Sequence, residues 1–293
     1  MVIISFREHF KGEGEIPDSS FFLNGNKDMC FLIHGLTGTP REMAYTAKGL
    51  NEKGYSVKAP LLDGHNKPLS VLKRKTWQDF YAGLREEFLK VESQYDSVFV
   101  AGLSFGALLG IMLAHEFPGK VKAVTCFSAT LSFDGWGAPK ARALLPLGYF
   151  TPLKYYAYFK EEHPYGLKNE RLRAKVEAYY KKAGLYDTSE AHLYGYPVIP
   201  VSCVYQNHLL AKRVMSILNE VNTPIQLLQA KEDDVTSPRN SIYIYEHVAS
   251  KDKEIKFFED SYHIITADQE RDKVVDATVS FFDKHKQSIG VRP

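Results

Sequence analysis

The five residues Gly102-Leu103-Ser104-Phe105-Gly106 constrain this chain more than any other stretch. They lie between the apolar, β-rich run Val98-Phe99-Val100-Ala101 and a helix-length apolar stretch at 105–117 that Pro118-Gly119 stops. A strand that turns into a helix this sharply leaves no room for side chains beside the turn, so glycines flank it and the central serine is lifted above the sheet. This is a nucleophile elbow, and it makes Ser104 the first candidate for a reactive hydroxyl. The same letters would also suit a glycine-rich turn with a solvated serine; the order strand, turn, helix is what favours the elbow.

Strand-like and helix-like runs alternate through the first half, the pattern of a mostly parallel, doubly wound α/β sheet with helices on both faces. Residues 29–34 read as a buried strand, followed by Thr39 as a helix cap with Pro40 at the first position and Glu42 placed for a capping box. The next strand is expected at 55–60. Trp77, Phe80, Tyr81, Leu84, Phe88 and Val91 recur at helical spacing, so 76–94 should press an aromatic stripe onto the sheet as core, not as a cofactor box. A strand at 121–127 follows the elbow helix. The alternation then stops and resumes with a strand at 225–229, a helix opened by Ser237 and Pro238, a last strand at 255–258 and a closing helix at 268–285.

Residues 131–221 have another texture, with tyrosines and phenylalanines crowded into 149–165 and a charged, helix-like stretch at 169–182. This interval reads as an inserted, largely helical cap over the carboxyl ends of the strands, where ligands bind in open sheets. The expected division is a core of 1–130 and 222–293 and a cap of 131–221.

At 293 residues, 44% of them hydrophobic, the chain can bury a full core. Its 37 basic and 35 acidic residues leave a net charge of +2, which gives no electrostatic footprint for nucleic acid. No run approaches the roughly 20 apolar residues of a membrane span. Residues 1–10 carry too little apolar character ahead of Arg7 and Glu8 for a secretory core, so a cytoplasmic protein is expected. Cys30, Cys126 and Cys203 are odd in number and lack metal-site spacing, and the first two sit in apolar strand-like runs. They read as small hydrophobes, with neither a disulfide framework nor a metal expected.

A serine hydroxyl is a weak nucleophile at neutral pH and needs a base within reach and an anion to orient that base. In hydrolases with this elbow the chain order is serine, acid, histidine. His115, His163, His192, His208, His247, His263 and His285 follow the elbow, and of these His263 alone directly follows an expected strand, in Asp260-Ser261-Tyr262-His263. The acid is one of Glu232, Asp233 and Asp234, consecutive in the loop after 225–229. We choose Asp233, with Glu232 and Asp234 as solvated neighbours, although the spacing supports Asp234 nearly as well. The glycines of His34-Gly35-Leu36-Thr37-Gly38 let the Leu36 N–H point inward, and the Phe105 N–H directly after the serine is a second donor. These two amides would form an oxyanion hole, with the side chains at both positions lining the pocket.

Together these motifs resemble the α/β-hydrolases of the bacterial carboxylesterase and monoacylglycerol lipase group. HGLTGTP at 34–40, GH at 64–65, GLSFG at 102–106, DDVTSP at 233–238 and SYHIITADQE at 261–270 follow that group's order and spacing, and the resemblance covers 1–130 and 222–293. It implies the α/β-hydrolase fold, a catalytic triad of Ser104, Asp233 and His263, backbone oxyanion donors at Leu36 and Phe105, no cofactor, and hydrolysis of a small-molecule acyl ester. In that group the acid lies five residues before the proline of its loop, which selects Asp233. Gly64-His65 is expected to buttress a loop near the site. Two departures bear on acyl specificity: the long cap, and Asn66 where the group often carries another glycine. The crowded cap aromatics suggest an apolar acyl or alcohol pocket, or simply packing of the cap onto the core. A thioester, an amide or another acyl acceptor could use the same triad, and a non-catalytic binding protein could keep the fold with the cap as its interaction surface.

Overall fold

The computed structural model describes residues 3–4, 18–65, 67–138, 148–183 and 195–286. The first half contains β1 (Ile3–Ile4), β2 (Phe21–Leu23), β3 (Asp28–Ile33), α1 (Ala44–Glu52), β4 (Ser56–Ala59), α2 (Leu69–Leu72), α3 (Trp77–Glu92), β5 (Ser97–Leu103), α4 (Phe105–Glu116) and β6 (Val121–Phe127). The second contains β7 (Tyr158–Lys160), α5 (Glu170–Ala183), β8 (Val198–Pro200), α6 (Val201–Ile217), β9 (Ile225–Ala230), α7 (Arg239–His247), β10 (Lys253–Phe258) and α8 (Arg271–Lys284).

Seven strands form one sheet in the order β10-β9-β6-β5-β3-β4-β2, parallel throughout except for the edge strand β2, which runs antiparallel to β4. This is the mostly parallel, helix-covered sheet that the alternation of elements foretells, and it agrees with the α/β-hydrolase fold that the motif resemblance implies. Strand β5 lies at the middle and is buried along its whole length, as expected where helices cover both faces. Its residues alternate between two cores with the period of two that a strand imposes. Val98 and Val100 join Phe80, Leu84 and Phe88 of α3 and the apolar residues of α4, whereas Phe99, Ala101 and Leu103 join Tyr55, Val275 and Phe282 on the opposite face.

The helices follow their sequence signals closely. Helix α3 opens with a capping box, the Thr76 hydroxyl accepting from Asp79 N at 3.2 Å while the Asp79 carboxylate accepts from Thr76 N at 2.7 Å. It buries Phe80, Leu84, Phe88 and Val91, with Trp77 and Tyr81 half-buried beside them. Helix α4 is apolar all round because it is enclosed between the sheet and other helices. Cys30, Cys126 and Cys203 are free, buried thiols.

Two features depart from the local signals. Thr39 caps a short 3-10 turn, Pro40–Met43, ahead of α1, and Glu42 does not close a capping box on it. Its carboxylate instead accepts from the backbone N–H of Gly35, seven residues upstream, because the glycine loop folds back over it. The interval 131–221 also divides physically. It contributes β7 and β8 to a small antiparallel sheet with β1, and it ends in α6. That helix packs against α3 and α4, with Val204, Leu210 and Val214 in the same cluster as Leu108 and Ile111. Asn66 and most of residues 1–10 lie outside the described residues. Among those described, no helix is long and apolar enough to cross a membrane.

Phe282 is fully buried and stacks on Phe99 with ring centroids 4.7 Å apart. Phe282→Ala is expected to lower the free energy of unfolding by about 3–5 kcal/mol. Phe22→Ala, at a residue 46% exposed on β2, should change it by less than about 0.5 kcal/mol. Urea titration followed by circular dichroism checks both.

Candidate active site

Ser104 sits at the carboxyl end of β5 with φ 57° and ψ −113°, a backbone conformation that L residues rarely adopt. The turn closes because a side chain at Gly102 would run into the backbone of Gly106 and Ala107, and one at Gly106 would lie 2.5 Å from the carbonyl oxygens of Ile33 and His34. The elbow is pinned from the neighbouring strand, where Phe127 O accepts from Ser104 N at 2.8 Å. Ser104 is 8% exposed, and its hydroxyl hydrogen-bonds Thr130 Oγ1 at 2.9 Å. Among the described residues no hydrogen bond joins that hydroxyl to a histidine.

His263 follows β10, and its Nδ1–H donates to both carboxylate oxygens of Asp233, at 3.0 and 2.9 Å. Asp233 is 2% exposed and fully occupied as an acceptor, taking Val235 N at 2.9 Å, Thr236 N at 2.8 Å and Gln229 Nε2 at 2.8 Å as well. The Gln229 amide is fixed in turn by Ser241 Oγ at 2.8 Å. The backbone of His263 is also held: its carbonyl accepts from Ser128 Oγ at 2.7 Å and its N–H donates to Asp234 Oδ1 at 3.3 Å. Burial alone would lower the His263 pKa, but the charge and hydrogen bond of Asp233, reinforced by Asp234 and Glu42, outweigh it and raise the ring above its usual value.

Asp234 corrects the sequence expectation of a solvated neighbour. It is 5% exposed, and its carboxylate accepts from Gly166 N at 3.1 Å as well as from the His263 amide. Burial raises its pKa, with the nearby Asp233 adding to the rise. Glu232 does face solvent, paired with Lys168 Nζ at 2.9 Å.

The loop after β3 carries Leu36. A turn closed by Gly38 N to Gly35 O, 3.2 Å, spans Leu36 and Thr37. The Thr37 amide donates to His65 Nε2 at 3.2 Å, so Gly64-His65 does buttress a loop. His34 lies beneath, donating from Nδ1 to Gly35 O at 2.8 Å and accepting from Leu62 N at 3.0 Å. Burial pulls the His34 pKa down and that of His65 to about 4, so both rings are neutral hydrogen-bonding struts. The Phe105 N–H heads α4, among the first amides of a helix that lack an intrahelical acceptor. The Phe105 ring does not line the pocket, contrary to the sequence expectation; it is fully buried against Phe80. The one-residue offset from Ser104 turns it into the helical core.

A cavity of about 280 Å³ is lined by Leu36, Ser104 and His263. Phe133, Leu167, Leu172, Val176 and Ile199 make much of the rest apolar. Four carboxylates, Glu42, Glu161, Glu162 and Asp234, face the same space. Burial pushes the carboxyls of Glu42 and Glu161 up to about 7. Gln229, Ser128, Thr130 and Asp234 are the supporting residues that sequence reasoning missed. The only local signal for Ser128 and Thr130 is their place just past the carboxyl end of a parallel strand, where sites of such sheets form.

The chain belongs to the α/β-hydrolase family described as serine aminopeptidase, S33, whose model matches residues 24–270. It is 24% identical over 271 residues to a carboxylesterase of Bacillus subtilis (strain 168), covering 92% of this chain and 98% of that one. It is 26% identical over 254 residues to a thermostable monoacylglycerol lipase of Bacillus sp. (strain H-257), covering 87% and 90%. Among solved structures it is similar to one of the metagenome-derived lipolytic enzymes LipS and LipT, with a TM-score of 0.74 and 25% identity over 91% of this chain and 97% of that one. The monoacylglycerol lipase of Paleococcus ferrophilus shares the fold at a TM-score of 0.72 and 20% identity, covering 92% and 99%.

A carboxyl with a raised folded-state pKa binds its proton more tightly in the folded protein. Its contribution to stability is complete below the unfolded value and is lost as pH rises through the folded value. Glu42 and Glu161, raised from 4.5 to about 7, should therefore make the protein less stable as pH climbs between those limits. His263 and Asp234, also raised, act in the same direction in their own ranges. The variant Glu42→Gln/Glu161→Gln is expected to flatten the fall of Tm across that window. Thermal melts at several pH values check this, and an unchanged slope contradicts it.

Proposed function

We propose that this protein is a serine hydrolase that cleaves carboxylic esters carrying an apolar acyl or alcohol group, through Ser104, His263, Asp233 and a covalent acyl intermediate. The observation that carries this reading is the His263 ring. With Nδ1–H committed to Asp233, Nε2 is its basic nitrogen, and the ring opens onto the cavity that also receives Ser104. The names of the relatives, carboxylesterase and monoacylglycerol lipase, point to the same substrates. The apolar wall of the cavity suits such an ester. Much of that wall belongs to residues 131–221, which serve as the cap in this reading.

In the first step the Ser104 hydroxyl turns from Thr130 to His263 and attacks the ester carbonyl carbon, its proton passing to Nε2. Hydrogen bonds in unliganded sites often tighten only when substrate arrives. The carbonyl oxygen becomes an oxyanion facing the Leu36 and Phe105 amides, and each such donor contributes about 2.7–4 kcal/mol to the transition state. Collapse breaks the bond to the alcohol oxygen, which takes the proton from His263 and leaves. Water then attacks the acyl carbon and gives a proton to Nε2. The second collapse returns that proton to Ser104 Oγ and releases the carboxylic acid. Asp233 keeps its charge throughout, holding the ring orientation and stabilising the imidazolium.

Wild type is expected to label with a fluorophosphonate and to hydrolyse p-nitrophenyl esters and monoacylglycerols, while Ser104→Ala does neither. His263→Ala and Asp233→Asn should each lower kcat by about 10³-fold or more. Asp234→Asn should lose far less turnover, because Asp234 hydrogen-bonds the backbone of His263 and not its ring. Equal losses at 233 and 234 would unseat Asp233 as the acid. Turnover confined to thioesters or amides would overturn the ester assignment, and an unlabelled wild type would favour a binding protein.

A further inference from the structure

We propose that Glu42 is a positioning residue for this reaction, holding the loop that carries the Leu36 amide and adding a negative charge to the cavity that His263 also lines; the inference rests on the serine hydrolase reading. The Glu42 carboxylate accepts from Gly35 N at 2.9 Å, one residue before Leu36. It fills the space that a side chain at Gly38 would take and lies 3.3 Å from where a Cβ at Gly35 would be. The loop thus wraps the carboxylate on both sides of Leu36.

Other attachments of this loop are made at Thr37, to His65 Nε2 through its N–H and to Tyr196 N through its carbonyl at 3.0 Å, and at the Gly35 carbonyl, which accepts from His34 Nδ1 at 2.8 Å. Glu42 holds the N–H side of Gly35. Its own backbone is fixed by Glu42 N to Thr39 O at 3.0 Å and by Thr266 Oγ1 donating to Glu42 O at 2.8 Å. Thr266 lies three residues past His263, so one residue ties the oxyanion loop to the histidine loop. A hydrogen bond weakens steeply with misalignment, so a small drift of Leu36 would cost transition-state binding while leaving substrate contacts in place.

The charge acts separately from the anchor. Facing the same cavity are Arg41 beside Glu42, then Glu161, Glu162, Tyr165 and Tyr180 from residues 131–221, and Asp234 and His263 from the loops after β9 and β10. His263 is the member whose ionisation the reaction uses, and the Glu42 anion favours its charged form. Glutamine at 42 would keep an acceptor oxygen for Gly35 and remove the charge; alanine would remove both.

The test measures kcat, KM and pH profiles with p-nitrophenyl butyrate, each rate normalised to the serine titrated by fluorophosphonate. Glu42→Gln is expected to lower kcat roughly 3- to 10-fold with KM little changed, and to move the acid limb of kcat/KM to lower pH, since that limb reports His263 in the free enzyme. Glu42→Ala should lower kcat further, roughly 10- to 100-fold, within the range set by loss of a whole oxyanion donor. The proposal is overturned if Glu42→Gln keeps the wild-type kcat and acid limb, or if Glu42→Ala is no worse than Glu42→Gln. Should Glu42→Ala fail to fold, the Glu42→Gln profile alone decides. These failures are distinct from that of the serine hydrolase reading, which falls if wild type does not label or Ser104→Ala stays active.

Discussion

The backbone of Ser104 is the constraint around which the molecule is arranged. A residue at φ 57° and ψ −113° is strained, and such strain persists only where the surroundings over-determine it. Here they do so from both directions. Strand β5 is buried along all seven residues, and the first ten residues of α4 are buried as well. The two elements therefore cannot shift to relax the turn without opening the best-packed part of the core. Gly102 and Gly106 let strand, helix and the neighbouring β3 backbone meet at van der Waals contact, which no other residue would permit. The result is a hydroxyl presented at the carboxyl edge of the sheet, where Thr130, Asp233 and His263 stand on the loops after β6, β9 and β10.

That edge concentrates titratable groups in a largely apolar enclosure, and their environments set them different tasks. Asp233 is an anion satisfied by four donors, three from the protein framework and one from His263. Glu42 and Glu161 are half-buried with much less compensation, and desolvation raises their carboxyls to about 7. Three histidines show the same logic. At His34 and His65 burial outweighs every opposing influence, so both rings stay neutral, accepting backbone N–H groups that shape the loop after β3. His263 faces three carboxylates and is held nearer to protonation. Burying Glu42 and Glu161 in ionised form works against stability, the usual relation between a preorganised site and a settled core.

Much of this was legible in the sequence where a signal is local. The elbow is visible because hydrophobic periodicity changes from two to helical across five residues bounded by glycine. The strands at 28–33, 121–127 and 225–230 are visible because parallel strands buried on both faces are continuous apolar runs. Strands β7 and β8, three residues each, are too short to carry a period. Helix α6 escaped notice because Pro200 opens it without a side-chain cap, and its apolar positions merge with the aromatic texture before it. In the site, the His263 ring hydrogen-bonds Asp233; chain order alone left Asp233 and Asp234 open, and the resemblance chose between them. The burial of Asp234 was not legible, since its donors Gly166 and His263 lie 68 and 29 residues away. Gln229 looked like any strand residue; only Ser241, 12 residues on, turns its amide toward Asp233.

The same long-range bonds determine how the cavity can open. On one side Tyr196 N donates to Thr37 O, and the Tyr196 hydroxyl reaches the carbonyls of His65 and Lys67. Gly195 packs so closely on Thr37 O that its positive φ of 84° comes with no room for a side chain. On the other side Gly166 N donates to Asp234 and Gly166 O accepts from Ile264 N at 2.8 Å, while the amides of Lys168 and Asn169 donate to Asp268 at 2.7 Å. Residues 166–169 are therefore fastened to the loops bearing Asp234 and His263, and residues 195–196 to the loop bearing Leu36. Moving either stretch away would break hydrogen bonds to the backbone or carboxylates of those loops. The wall of the cavity and the loops beneath it are thus held by one shared set of long-range bonds.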